Sequence, residues 1–313
     1  MTYAIRRFWA TLLTLAAAFA VVFFIIHMVP GDPAAIMMAE FSPTGKALAD
    51  LRRDLGLDLP LHQQFARYLG RALAGDLGQS YRSQRPVAAE IAAIYHHTLY
   101  LAFGGILFAI LIGIPAGFLS AARRNSWLDR LCMVGALSGI SMPVFWLGIL
   151  LIIFFSFHLR LFPTIGVGDP SQPLDVLWHL VLPAFSLGLR GAALIARVTR
   201  SSFLEILGQD YIRTGRMKGL SEAVVKGKHA FRNALLPIVT VIGLDLSQLL
   251  GGTTVTEIVF SRPGMGTLLI ESVLARDYPM VQGTMLMYLI VIILVNLAVD
   301  LTFGLVDPRI RYE

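Results

Sequence analysis

Residues able to do chemistry are thinly spread along these 313 residues, and they do not converge. A phosphate-binding loop needs Gly-x-x-x-x-Gly-Lys followed by Ser or Thr, so that backbone amides approach the phosphate and a hydroxyl reaches its magnesium. The two Gly-Lys pairs, Gly45-Lys46 and Gly227-Lys228, have Glu40 and Glu222 in place of the first glycine and are followed by Ala47 and His229. His96 and His97 are adjacent, which sends their rings to different helix faces rather than to one metal. No His-Glu-x-x-His pattern and no Gly-x-Ser-x-Gly elbow occurs. The single cysteine, Cys132, allows no disulfide within the chain and no cysteine-based metal set. These residues predict a non-enzymatic chain with no catalytic, cofactor-binding or metal-binding residues of its own.

A different chemistry is open to ionisable side chains inside apolar runs, which are functional candidates by default. Asp245 stands in GLDLSQLLGG, Gly243–Gly252, with Ser247 and Gln248 close by. An ionised, unpaired carboxylate in hydrocarbon is costly, so Asp245 either faces water or is paired. A pore-lining role and an interhelical polar contact both satisfy that condition. Asp300 joins Asp245, Ser247 and Gln248 as a candidate for a translocation pathway. Arg190 and Asp300 read as lying near the cytoplasmic ends of their spans, where snorkelling or a structural pair is the cheaper arrangement. His27 and Asn296 read as packing polars.

Those residues sit in a chain built for lipid. It is 56% hydrophobic and 15% charged, with a mean hydropathy of +0.69. Runs of this length and apolarity predict an all-α polytopic membrane protein with about six spans: Trp9–Val29, Thr98–Ser120, Leu131–Phe157, Val176–Ile195, Ala234–Val255 and Thr284–Val306. The first follows Arg6 and Arg7 and exceeds a usual signal-peptide core, which favours an uncleaved anchor. Gly113/Gly117 and Gly135/Gly139 have the spacing for close helix approach, and Pro115, Pro143 and Pro183 are expected to kink their spans.

Charge sets the orientation. Arg6 and Arg7, then Arg123, Arg124 and Arg130, then the insert from Arg197 to Arg232, then Arg309 and Arg311 all fall on one side of a six-span arrangement. The positive-inside rule makes that side cytoplasmic, with both termini on it. The opposite short loops hold Arg160, Arg262 and Arg276 against Asp169, Asp175, Glu257, Glu271 and Asp277. The net charge of +6 is thereby explained without a nucleic-acid partner.

Two segments outside the spans are patterned. Residues 31–97, between the anchor (1–30) and the five-helix core (98–306), carry repeated helix signals: Ser42-Pro43 opening and Gly56 closing, then Pro60 opening and a stop near Gly75. The turn-rich GDLGQS, Gly75–Ser80, follows, and Pro86 opens a helix running into the second span. Residues 307–313 form a short tail. The other segment, within 197–233, is basic and helical. Phe203 to Lys218 can form one helix ended by Gly219 in the left-handed conformation. Ser221 is placed to cap a second short helix over Glu222 to Phe231. A helix–Gly–helix hook on a membrane protein predicts a docking element.

Taken in order, HMVPGDPA (His27–Ala34), LGLDLPLHQQF (Leu55–Phe65), GDLGQS, RPV (Arg85–Val87), SMPVFWLG (Ser141–Gly148), FSRPGMG (Phe260–Gly266), RDYPMVQG (Arg276–Gly283), NLAVDL (Asn296–Leu301) and DPRIRY (Asp307–Tyr312) form a specific series. Through it the chain resembles the permeases of binding-protein-dependent ATP-binding-cassette importers, in particular the first, B-type permease subunit of the dipeptide/oligopeptide/nickel branch. The resemblance implies a bacterial inner-membrane, multi-pass subunit forming half of a pathway for di- or oligopeptides, with nickel chelate, glutathione or another small solute as alternative cargo. It implies a homologous second permease subunit, two ATP-binding subunits that hold the ATP and magnesium, a periplasmic or lipid-anchored binding protein, and surrounding lipid. It also implies that the hook is the EAA loop, whose helix seats in a groove of the ATPase. Arg213, Thr214, Gly215, Arg216, Lys218, Gly219, Leu220, Ser221, Glu222 and His229 are the coupling residues on that reading. Arg213-Thr214-Gly215 replaces the Glu-Ala-Ala of the general pattern, and His229-Ala230-Phe231-Arg232 replaces its Ile-x-Leu-Pro ending. A stand-alone secondary carrier is the competing class. Against it, no matched pair of broken helices suggests inverted repeats, and the hook would have no task.

Overall fold

A computed structural model describes residues 2–28, 34–35, 38 and 45–306 of the chain; the side chains of 2–8, 11, 25–26, 54–55, 226, 228–229 and 300–306 fall outside that description. A backbone crossing lipid must satisfy its own polar groups, which leaves helices as the open-chain solution. The described residues form α1 (Thr2–Met28), α2 (Gly45–Leu55), α3 (Leu61–Leu73), α4 (Val87–Ala122), α5 (Trp127–Ser141), α6 (Val144–Leu151), α7 (Pro173–Leu207), α8 (Asp210–Met217), α9 (Phe231–Val259), α10 (Met265–Leu274) and α11 (Tyr278–Val306). An isolated bridge between Gln79 and Pro86 is the sole β-type pairing among them. The expected all-α polytopic fold is therefore present.

By length and composition, α4, α7, α9 and α11 can cross a membrane, and α5 with Val144–His158 adds a fifth span if the bent pair counts as one. The further expected span falls on α1, a 27-residue helix whose apolar stretch is Leu12–Phe24. The expected third span, Leu131–Phe157, is not a kinked rod. It turns by 107° between α5 and α6. Met142 is held at φ −81°, ψ 129° by the proline that follows it, and Pro143 starts α6 without an amide to offer. After α6 the chain widens into a π-helical stretch, Ile152–His158. Pro115 and Pro183 lie inside helices that remain continuous. The Ser42-Pro43 helix start, most of HMVPGDPA and DPRIRY lie outside the described residues.

The chain divides into two compact units, Met1–His96 with Pro263–Ile293, and His97–Arg262 with Leu294–Glu313. In the first, α3 lays Phe65 and Tyr68 against Phe19 and Phe23 of α1, with ring centroids 5.2 Å apart for Phe19 and Tyr68 and 5.3 Å for Phe23 and Phe65. Gly56 and Gly75 stop α2 and α3 at φ +69° and +82°, as expected. The Gly75–Ser80 turn is closed by Asp76, which accepts from the Gly78 amide at 2.9 Å and from Arg71 Nε at 2.8 Å. Those bonds, the arginine's first, hold the Asp76 carboxyl below the usual carboxylate range. Asp277 is buried; it accepts from Ser80 Oγ and from the Met280 amide at 3.3 Å, and so ties this turn to the start of α11.

In the second unit α7 is the central helix, packed against α9, α5 and α6. Its core side includes Leu187, Ala192, Ile195 and Phe203, all buried. Gly113 and Gly117 do what their spacing predicts. A Cβ at Gly113 would lie 2.7 Å from the Ala192 carbonyl oxygen, and one at Gly117 would lie 2.6 Å from Thr199 Cβ. The second pair divides: Gly139 faces Ala193 at 3.4 Å, whereas Gly135 has open space. Replacing Gly113 or Gly117 by alanine is expected to cost about 1–3 kcal/mol through overpacking. Gly135→Ala is expected to be neutral or slightly stabilising. Thermal unfolding of the three variants in one detergent distinguishes them.

Arg262 and Glu257, read from sequence as loop charges, are both buried, at 2% and 1% exposure. Arg262 Nη1 donates to the carbonyls of Gly166 at 2.9 Å and His179 at 3.1 Å, pinning the loop between α6 and α7. Burial lowers its pKa to about 10 against the opposing pull of Glu257, which leaves it protonated at neutral pH. Glu257 accepts from Thr98 Oγ1 at 2.7 Å.

Candidate functional site

The hook is built differently from the expected pair of helices. α7 stops at Leu207 with Gly208 as its C-cap, and Gln209, extended at ψ 150°, starts α8. The expected single helix from Phe203 to Lys218 is thus two, and the residues nearest the turn form a separate eight-residue helix, Asp210–Met217. At its far end the expectation holds. Gly219 has φ +79°, its amide donates to the Arg216 carbonyl at 2.9 Å, and the Leu220 amide donates to the Gly215 carbonyl at 3.3 Å. This pair of bonds is the Schellman closure, which satisfies carbonyls a helix end would otherwise leave bare.

Beyond the turn, Ser221 occupies the N-cap position but its side chain makes no capping bond. The expected helix over Glu222 to Phe231 is one turn, Glu222–Val224, widening into a π-helical stretch, Val225–Ala230, that leads directly into α9. The hook is therefore continuous with the fifth expected span, which begins at Phe231 rather than Ala234. His229 lies in the π-helical stretch, with its side chain outside the described residues.

Burial separates two faces of the hook. Ile212 and Val225, each 1% exposed, belong to the same apolar core as Phe203, Ala230 and Ala234. Asn233 Nδ2 adds a bond to the Tyr211 hydroxyl at 2.7 Å. The outward face carries exposed Arg213, Thr214, Arg216, Lys218, Gly219, Leu220, Ser221 and Glu222, with Gly215 half-buried. Arg216 Nε pairs with Glu222 Oε1 at 2.7 Å across the turn. Met217 is 79% exposed and Val224 38%. Sequence reading missed the anchors Ile212 and Val225, although both are apolar residues in an otherwise polar run. A Cβ at Gly215 would meet Leu220 Cδ1 at 3.6 Å, an ordinary contact. Gly215→Ala is accordingly expected to stabilise the hook by about 1 kcal/mol, from helix propensity and the added contact. Slower amide exchange in α8 is the measurement.

The pathway candidates do not form one cluster. Asp245 lies half-way along α9 at 2% exposure, and neither carboxyl oxygen has a hydrogen-bond partner among the described residues. Its carboxyl presses against Gly191 of α7, where any Cβ would collide with Oδ2. Gln248, one turn on, is exposed and accepts from Arg190 Nη2. Ser247 turns elsewhere and donates to Asn296 Oδ1 of α11. Asp300 is also on α11, with its side chain outside the described residues. Arg190 stands at the middle of α7, which continues to Leu207 beyond Ile195, where the expected span ended.

A buried clamp near the hook carried no sequence expectation. Asp129, 4% exposed, accepts from Arg200 Nε at 2.7 Å, Arg200 Nη2 at 2.8 Å, the Asn125 amide at 2.9 Å and Ser120 Oγ. It fixes the start of α5 to α7 shortly before the hook begins. Among the described residues no group of three or more His, Cys, Asp or Glu side chains is arranged to hold a metal ion.

Residues 113–312 match the family described as binding-protein-dependent transport system inner membrane component. Residues 1–102 match the N-terminal part described for the same membrane components. The chain is 44% identical over 313 residues, 100% of both chains, to the glutathione transport system permease protein GsiC of Escherichia coli K12. It is 43% identical over the same full lengths to the protein of that name from Shigella flexneri serotype 5b. A solved structure of the MetNI methionine ABC transporter, inward-facing, is similar with a TM-score of 0.58 at 21% identity, covering 69% of this chain and 96% of that one. At that identity the likeness speaks for the fold.

Proposed function

This chain belongs to the binding-protein-dependent transport system inner membrane components, and from that premise we propose that it forms half of an import pathway for short peptides of the glutathione kind. It works with a homologous second permease, two ATP-binding subunits and a substrate-loaded binding protein. It is a multi-pass permease subunit of an ATP-binding-cassette importer, and its basic loops and both termini face the cytoplasm in this reading.

The observation that carries the coupling part is the two-faced hook. A surface hook with Met217, Leu220 and Val224 exposed beside Arg213, Arg216 and Lys218 has the mixed apolar and basic character of a partner interface. Its opposite face, through Ile212 and Val225, is packed into the core that includes residues of α7 and α9. Displacement of an ATPase surface against this hook is thereby passed, through the packed Ile212 and Val225, to helices that line the path. ATP hydrolysis by the partners supplies the energy, and this chain supplies the rigid transmission. The peptide reading draws support from the full-length relatives, both named as glutathione permeases.

The test is reconstitution of the whole complex in proteoliposomes with its binding protein, followed by ATP-dependent uptake of labelled glutathione, a neutral dipeptide and nickel. Uptake of glutathione or the dipeptide is expected. Uptake of nickel alone overturns the peptide reading, and ion-gradient-driven uptake by this chain by itself overturns the importer reading. Asp245→Asn is expected to alter the transport rate while the complex still assembles. Loss of assembly would assign Asp245 to helix packing against Gly191 instead.

A further inference from the structure

We infer that Arg190, oriented by Gln248 and with Asp245 seated beside it, is a station within the spanning helices for the carboxylate of the transported solute. The inference rests on the import reading above and names the chemistry one point of that path recognises.

Depth comes first. Arg190 and Gln248 bond to each other at the middle of α7 and in the central part of α9. α7 is about 52 Å long at about 1.5 Å per residue, longer than a hydrocarbon core of about 30 Å, so its ends do not mark the membrane surfaces. The bond to Gln248, which lies in the central part of α9, holds the guanidinium at that level of the helix pair rather than toward either end. A guanidinium facing acyl chains there costs about 2.5–3.5 kcal/mol or more, so this exposed pair faces water or protein.

Chemistry comes second. The guanidinium has five N–H donors in a planar fork. Among the described residues the bond to Gln248 Oε1 employs one nitrogen, Nη2. That bond fixes the plane and leaves an edge suited to bidentate capture of a carboxylate.

Asp245 supplies the third element. Its carboxyl is buried against Gly191, the residue next to Arg190, in a seat that exists because residue 191 is glycine. That carboxyl adds a second polar group beside the arginine's position on α7. A conducting site must be favourable enough to enter and weak enough to leave, and a single guanidinium edge among neutral partners meets that condition. Short peptides bring a carboxylate to such a site.

The assembled importer, with Cys132→Ser and no other cysteines, tests this during turnover. Gln248→Cys is introduced and its reaction with an anionic sulfonate-bearing and a cationic trimethylammonium-bearing methanethiosulfonate is timed. Both reagents are expected to react, the anionic one favoured roughly tenfold over its intrinsic rate by the neighbouring guanidinium. Arg190→Gln is expected to erase that preference and Arg190→Lys to retain it. With Gln248 intact, Arg190→Gln is expected to lower glutathione uptake roughly tenfold while binding-protein-stimulated ATP hydrolysis persists. A cysteine unreactive to both reagents in a complex that still hydrolyses ATP means that the sister subunit or lipid covers the pair, and overturns the station alone. A reagent preference indifferent to Arg190→Gln overturns it too. A parent complex without binding-protein-stimulated hydrolysis overturns the importer reading, and the station with it.

Discussion

Gly219→Pro is expected to lower ATP-driven uptake at least tenfold while leaving the membrane-embedded helices folded. The native φ of +79° is inaccessible to proline, whose ring fixes φ near −65°. Proline also removes the amide that donates to the Arg216 carbonyl at 2.9 Å. The turn between α8 and the helical residues leading to α9 must then open, and the outward face of the hook loses its shape. Gly219→Ala separates geometry from bulk. No atom lies within 4 Å of a Cβ built there, so alanine meets only the left-handed backbone penalty, about 1 kcal/mol. Uptake and stimulated ATP hydrolysis, measured side by side in proteoliposomes, are expected to fall at least tenfold for proline and less than threefold for alanine, in line with one to two kcal/mol of difference at about 1.4 kcal/mol per decade. Normal uptake with proline present would remove the hook from the mechanism.

The Arg216–Glu222 pair across the same turn has a smaller part in stability. Both side chains are substantially exposed, at 40% and 54%, and such pairs contribute about 0–1 kcal/mol. Its value to the proposed mechanism lies in where it presents charge.

What the sequence disclosed follows from how local each feature is. Gly219 was legible because a glycine after a periodic helix is a local signal, and the Gly113/Gly117 contact because spacing along one helix defines a face. The break at Gly208 was missed although Gly208-Gln209-Asp210 carries stop and start signals, since the hydrophobic pattern runs across it. Pro143 and Pro183 look alike in sequence. Pro183 stays within continuous α7, whereas the residue before Pro143 turns extended and the chain bends by 107°. Burial of Arg262 and Glu257 could not be read from charge, because charged residues near span ends normally go to water. The sequence marked Asp245 as costly, but the accommodation at Gly191 joins residues more than fifty positions apart, and no local pattern encodes it.

The Asp129–Arg200 clamp is the strongest instance of that non-local kind and carries the second large prediction. Asp129 has lost its water, with a side chain 5% exposed against 25% for Arg200. Arg200→Met removes two of its donors and leaves an acid that Ser120 and the Asn125 amide alone must satisfy. Removing one member of a buried pair costs about 3–5 kcal/mol, with the lower figure fitting a partly exposed arginine. Asp129→Asn with Arg200→Met removes both charges and is expected to recover a large part of the loss, because the penalty belongs to the stranded charge rather than to the missing bond. The unfolding midpoint of the purified complex, compared across the two single variants and the double variant, is the measurement. Additive losses would mean that Asp129 is tolerated without its partner. The same cycle read by uptake bears on coupling. Arg200 precedes Gly208 by about two turns of α7, so the clamp sets where that helix ends and the hook begins. A complex that regains stability in the double variant but not transport would place this clamp in the transmission as well as in the fold.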